Sequence, residues 1–210
     1  MPVGELSHDE IVRIYGPWRA RTPADVAALF DGYRGRWWIA GGWAIEAFCG
    51  VARDHGDIDP SIPRDELPAL RRHMAGRIDL WAADQEILRL LLPGDADEDE
   101  LPMRCENVWA RAGGADPWEY DIILMDVRDD TWVFKRDARI TRPVEEIIWT
   151  QDGIDYLRPE VQLLHKARGL RAKDQQDFEA VLPRLAVGDR TWLRTAIELT
   201  DPGHPWLAAL

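Results

Sequence analysis

The sequence predicts an α/β (α+β) chain, a mixed sheet flanked by helices and followed by a C-terminal helical subdomain. Up to about residue 150, short apolar runs bounded by Gly, Pro and Asp alternate with segments of helical period. Three strand-like runs follow one another between residues 107 and 135. From about residue 155 the period is helical to the end, which places a soft boundary there and divides the chain into 1–155 and 156–210. With 210 residues, 46% hydrophobic and 30% charged, the chain is long and apolar enough to bury a real core.

Taken in order, Ser7-His8-Asp9-Glu10 reads as a capping box opening a helix to about residue 15. Thr22 caps a second helix, with Pro23 at its first position and Val26, Leu29 and Phe30 on one face, through about residue 33. Residues 37–40 form a buried strand, Gly41-Gly42 a tight turn, and residues 43–49 a helix. A strand carrying Asp57 and Asp59 follows, and Pro60 requires either an outward-facing nitrogen or a bulge. Residues 65–74 read as a helix with Leu67, Leu70 and Met74 inward, 77–83 as a strand, and 86–92 as a short apolar segment ending at Pro93-Gly94. The acidic run 95–100 reads as a solvated loop.

Residues 107–111, 118–127 and 131–135 are the three consecutive strands, turned at Gly113-Gly114 and at 128–130. A short strand at 147–149 and a Gln151-Asp152-Gly153 turn precede the helical part. There Pro159 opens a helix to about residue 170 with Val161, Leu164 and Ala167 on one side. A helix after Lys173 turns Phe178, Val181 and Leu182 inward and is ended by Gly188; Asp189 or Thr191 caps the last one.

The chemistry concentrates in residues 37–59. Two glycines between a strand and a helix let backbone N–H groups approach a phosphate closely. Asp57 and Asp59, two apart, project to one side of a strand with Cα atoms roughly 6.6 Å apart, so both reach one metal site. Mg2+ prefers such carboxylates together with substrate phosphates. The pattern suggests metal-assisted nucleotidyl transfer. In the 118–127 strand Glu119 and Asp121 share a face and are both candidates for a third carboxylate. Asp121 is chosen because it directly precedes the apolar run 122–125, whereas Glu119 sits beside Pro117 at the strand entrance.

These motifs resemble the polymerase-beta-like nucleotidyltransferase superfamily, and within it the aminoglycoside 2''-adenylyltransferase-like branch. The resemblance rests on Gly41-Gly42, on Arg53 and His55 ahead of Asp57-x-Asp59, and on the segments Pro159 to Lys166 and Lys173 to Phe178. It implies a nucleotidyltransferase-type sheet with Asp57, Asp59 and Asp121 as catalytic, Mg2+-binding carboxylates. Asp121 then either completes the metal site or deprotonates the acceptor hydroxyl. ATP is the implied donor, its phosphates lying over Gly41 and Gly42 and met by Arg53, His55, Lys173 and, less directly, Lys166. An aminoglycoside-like acceptor, and hence antibiotic resistance, is the implication of the branch.

The formal charge of −12 and a pI near 4.8 argue against a nucleic-acid partner, whose phosphates need a basic surface, and suit a cationic small molecule. A tRNA or protein acceptor, as in nucleotidyltransferase toxins, and a non-catalytic nucleotide-binding module are the competing readings. Cys49 and Cys105 offer neither a disulfide framework nor a zinc cluster. The other histidines, His8, His73, His165 and His204, have no metal-ligand spacing, and Trp43 stands where it could border the nucleotide. No leader pattern and no long apolar run is present, so a cytoplasmic protein without a membrane partner is expected.

Overall fold

The computed structural model describes residues 8–84, 87–92, 94 and 101–210, without the side chains of His8 and Ile11. Ser7 of the expected capping box and the acidic run 95–100 lie outside the described residues. Helices α1 (His8–Tyr15) and α2 (Pro23–Leu29) come first. Thr22 and Asp25 close a reciprocal cap on α2: the Thr22 hydroxyl accepts from the Asp25 N–H at 3.3 Å, and the Asp25 carboxylate accepts from the Thr22 N–H at 2.8 Å. Helix α2 ends earlier than its apolar period predicts, because Phe30 leaves the helix to stack on Trp37, its ring centroid 4.9 Å away.

The strands are β1 (Trp38–Ile39), β2 (Pro60–Pro63), β3 (Asp79–Asp84), β4 (Ile87–Leu91), β5 (Asn107–Arg111), β6 (Tyr120–Met125), β7 (Val127–Arg128), β8 (Thr131–Val133), β9 (Thr141–Pro143), β10 (Ile148–Gln151) and β11 (Ile154–Leu157). Eight of them form one mixed sheet in the order β10-β11-β1-β2-β6-β5-β3-β4, and β7-β8-β9 form a small second sheet. The contacts of β1 with β11 and of β2 with β6 are parallel; the other ladders are antiparallel. Helix α4 (Leu67–Met74) packs on β3, burying Leu67, Leu70 and Met74 as their spacing predicts.

Pro60 and Pro63 sit in a central strand, where a missing N–H should break pairing. The ladder avoids the loss by using carbonyls just upstream. The Ile58 carbonyl accepts from Asp121 N–H at 3.1 Å, and the Asp59 carbonyl from Ala40 N–H at 2.9 Å. Asp57 and Asp59 therefore lie on the extended approach to β2 rather than inside it, pinned on both sides by β1 and β6.

Sequence periodicity does not announce β11. Asp152 and Gly153 have φ of +52° and +78°, the two left-handed positions of a tight hairpin, so Gln151 pairs directly with Ile154. The expected division near residue 155 falls within β11, which pairs with β1 through Ile39 and Tyr156. Helices α5 (Pro159–Lys166), α6 (Ala172–Val181) and α7 (Val187–Thr200) follow, α5 touching both α6 and α7. Gly188 does not end α6. A 3-10 turn over Leu182–Arg184 containing Pro183 does so, and Gly188 falls in the first turn of α7, leaving Asp189 and Thr191 inside that helix. Helix α3 (Gly41–Cys49) packs on both α5 and α6, joining the glycine turn to the helical end of the chain.

Candidate active site

The glycine turn, the approach to β2, the β5–β6 edge of the sheet and the α5–α6 junction surround a cleft of about 480 Å3. The nine residues expected to act there, Gly41, Gly42, Arg53, His55, Asp57, Asp59, Asp121, Lys166 and Lys173, all line it. The helix starts at the glycines themselves, two residues earlier than expected. A Cβ added to Gly41, whose φ is +66°, would fall 1.6 Å from Asp59 Oδ2. One added to Gly42 would lie 2.1 Å from Arg53 Nη2 and 2.9 Å from His55 Nδ1. The glycine pair thus serves a packing purpose as well as a conformational one, letting the acidic and basic groups of residues 53–59 close onto the start of α3.

Burial comes first in raising Asp59 well above the usual carboxylate range, and the charges of Asp57 and Asp121 add to it while Lys166 and Lys173 oppose it. Asp121 is pushed up to about 7, again mainly by burial, with the hydrogen bond from Asn107 pulling the other way and Asp57 adding to the rise. Three mutually repelling carboxylates in one cleft favour a positive charge among them. Yet no three His, Cys, Asp or Glu side chains among the described residues converge closely enough to hold an ion by themselves. The three carboxylates expected from the sequence thus share the cleft without forming a ready-made ion cage among the described residues, and Asp121 is held by the Asn107 amide. The oxygen donors present fit Mg2+ in its usual manner, one or two carboxylates with the remaining positions left to phosphate and water.

Glu119 lies outside the cleft. It is buried at the strand entrance in a close ion pair with Arg21, and Arg19 stands 3.9 Å away. His55 is held by Glu46, whose carboxylate lies 2.8 Å from His55 Nε2 and also accepts from the Arg53 N–H at 3.0 Å. Trp43 stacks on His55 with centroids 4.1 Å apart. It borders a separate shallow groove with Glu46 and Tyr156 instead of the main cleft.

The two lysines differ. Lys166 is buried, its Nζ 3.2 Å from Asp174 and 2.8 Å from Asp177, so its charge is committed to holding α5 against α6. Lys173 is exposed and lines the cleft, acting on Asp59 at a distance but making no ion pair at contact distance among the described residues. Arg53 reaches across to Asp177 at 3.4 Å.

Sequence alone does not single out three further residues of the cleft. Gln162 on α5 accepts the Gly41 N–H at 2.7 Å, so the first amide of the glycine turn already has a partner. Asn107 Nδ2 donates to Asp121 Oδ1 at 2.7 Å. His165 lies edge-on to Phe134, centroids 5.2 Å apart, with its Nε2 buried and unpartnered, and burial holds its pKa down to about 3. Each depends on contacts between distant segments, which no local period reveals.

Residues 24–92, a span that includes the glycine turn and the Asp57–Asp59 pair, match the family model of aminoglycoside-2''-adenylyltransferase. No curated protein matches the chain. Among solved structures, the antibiotic-resistance factor ANT(2'')-Ia is similar at 19% identity, over 84% of this chain and 89% of its own, with a TM-score of 0.51. ANT(2'')-Ia in complex with adenylyl-2''-tobramycin gives 16% identity, 84% and 95% coverage and a TM-score of 0.52. The lincomycin-bound lincosamide antibiotic adenylyltransferase LnuA gives 16% identity, 75% and 92% coverage and a TM-score of 0.50. The chain thus resembles the nucleotidyltransferases in fold over most of its length, and their aminoglycoside 2''-adenylyltransferase-like branch in sequence over residues 24–92.

Proposed function

We propose that this chain is a nucleotidyltransferase that moves AMP from ATP to a hydroxyl of a small cationic acceptor, with an aminoglycoside-like molecule as the first choice. The observation that carries the proposal is the packing of Asp59 directly against Gly41 in a cleft shared with Asp57 and Asp121. Asp57 and Asp59 would hold Mg2+, which supplies charge neutralisation at the α-phosphate and the departing pyrophosphate. Gly42 and the start of α3 present backbone N–H groups to the phosphates, and Lys173 and Arg53 offer side-chain charge. Lys166 acts at one remove, by fixing Asp174 and Asp177 and through them the α5–α6 wall.

In the reaction the acceptor oxygen bonds to the α-phosphorus, the bond from that phosphorus to the bridging oxygen breaks, and pyrophosphate leaves with the electron pair. The acceptor proton passes to Asp121, a carboxylate in the same cleft whose burial raises its proton affinity above that of an ordinary aspartate. Positioning and electrostatic stabilisation supply most of the acceleration in such a scheme.

The test is pyrophosphate release from ATP and Mg2+ across aminoglycosides, lincosamides and bulk tRNA, for wild type and Asp57→Asn. Release that requires one aminoglycoside and is lost in the variant is the expected result. Release with a lincosamide keeps the chemistry and changes the acceptor. Release with tRNA defeats the small-molecule assignment, and silence throughout defeats the proposal.

A further inference from the structure

Asp121 lies on the cleft-facing side of β6, an interior strand between β2 and β5, on the face opposite the buried Tyr120, Ile122 and Leu124. It faces Trp109 directly across the β5–β6 ladder, and Asn107, paired with Ile123, is its diagonal neighbour on the same face. The Asn107 amide reaches over and donates to Asp121 Oδ1 at 2.7 Å, the short end of the range for N–H donors. Asn is unfavourable in strands, and nothing in the packing of β5 calls for one: Val108 and Ala110 fill the core side, and Asn107 faces the cleft. A free aspartate has two rotatable bonds. In a cleft where Asp57 and Asp59 repel it, nothing else on its own strand keeps its carboxylate turned toward the reacting centre.

Building on the nucleotidyl-transfer reading, we propose that Asn107 is the positioning residue for Asp121, fixing the carboxylate that receives the acceptor proton. Trp109 assists from the position directly opposite, with its indole N–H acting on the same carboxylate. Neither residue touches substrate. Their effect passes through the orientation of Asp121, as hydrogen-bonding partners of catalytic ligands commonly act.

Asn107→Leu keeps the side-chain volume and removes the donor; Trp109→Phe keeps a ring and removes the N–H. With the acceptor found active in the pyrophosphate assay, Asn107→Leu should lower kcat by about 10- to 100-fold while the KM for ATP stays within about twofold. Trp109→Phe should show a smaller fall of the same kind. A parallel measurement needs no activity: in the 15N spectrum the Asn107 side-chain amide should sit downfield in wild type and move upfield in Asp121→Asn. Unchanged kcat in Asn107→Leu overturns the proposal, as does an Asn107 amide resonance indifferent to Asp121→Asn. A rise in KM for ATP without a fall in kcat also overturns it, since that marks Asn107 as a nucleotide contact. A wild type silent with every acceptor overturns the nucleotidyl-transfer reading and this role of Asn107 with it; the amide shift then tells that failure apart from the loss of the hydrogen bond.

Discussion

Two carboxylates two residues apart on one strand face have opposite fates. Glu119 is neutralised by Arg21 at the strand entrance, while Asp121 lines the cleft with its charge unpaired by any cation at contact distance among the described residues. Asp121→Asn should therefore abolish turnover and leave the melting temperature close to that of wild type. Glu119→Gln should do the reverse, retaining turnover but costing about 1–2 kcal/mol because Arg21 loses its charged acceptor. Urea unfolding beside the pyrophosphate assay separates the two, and an inactive, stable Glu119→Gln would transfer the catalytic role. His165 allows a second prediction at this scale. Its folded pKa of about 3 lies below the ordinary value, so the native state resists protonation and the unfolded chain does not. Its contribution is intact above pH 6.5 and falls as the pH drops toward 3, by no more than about 1.4 kcal/mol per pH unit. His165→Phe, which keeps the ring contact with Phe134, should flatten the acid side of the stability profile. Urea midpoints at pH 7 and pH 5 that shift equally in both proteins would count against it.

At the level of elements, the α5–α6 pair sets one wall of the cleft, and its two lysines should fail differently when replaced. Lys166→Met leaves Asp174 and Asp177 buried with less compensation, at a cost of order 3 kcal/mol that denaturant titration would register. Lys173→Ala removes an exposed cation that makes no ion pair at contact distance among the described residues, so stability should hardly change while the KM for ATP rises about tenfold, one charged contact at roughly 1.4 kcal/mol. Equal effects on both properties in both variants would erase this distinction. The same elements show what is legible in a sequence. Thr22-Pro23, the 107–111 strand and the inward face of Leu67, Leu70 and Met74 follow from local rules, whereas the close approach of Gly41 to Asp59 is a contact between separate segments. Strand β11 does not, because its four residues carry no clear alternation and acquire their state from β1 and β10. Pro60 looks disruptive in sequence, yet the hydrogen bonds fall on the Ile58 and Asp59 carbonyls, a fact of register. Gln162 and Asn107 escape notice for the same reason: each serves a group 121 or 14 positions away.

Over the whole molecule, a chain of net charge −12 nonetheless gathers several cations in one cleft. Lys135, Arg136, Arg168, Arg171 and Lys173 line the cleft together with Asp54, Asp57, Asp59 and Asp121. A triphosphate and a polyamine can thus be drawn to one cleft by different fields, the anion by the cations lining it and the polyamine by the net negative charge of the whole chain. The two attractions differ in range, and salt separates them. With a Debye length near 8 Å at 0.15 M, the long-range field is screened well before contacts inside the cleft are. Raising NaCl from about 0.02 to about 0.3 M should therefore lower kcat/KM for a polycationic acceptor by about tenfold, mostly through slower association. The KM for ATP should change far less, and a neutral acceptor analogue should be nearly insensitive. Initial rates at subsaturating acceptor across that salt range provide the measurement. Equal salt dependence for cationic and neutral acceptors would mean that the acidic surface serves solubility alone and takes no part in choosing the substrate.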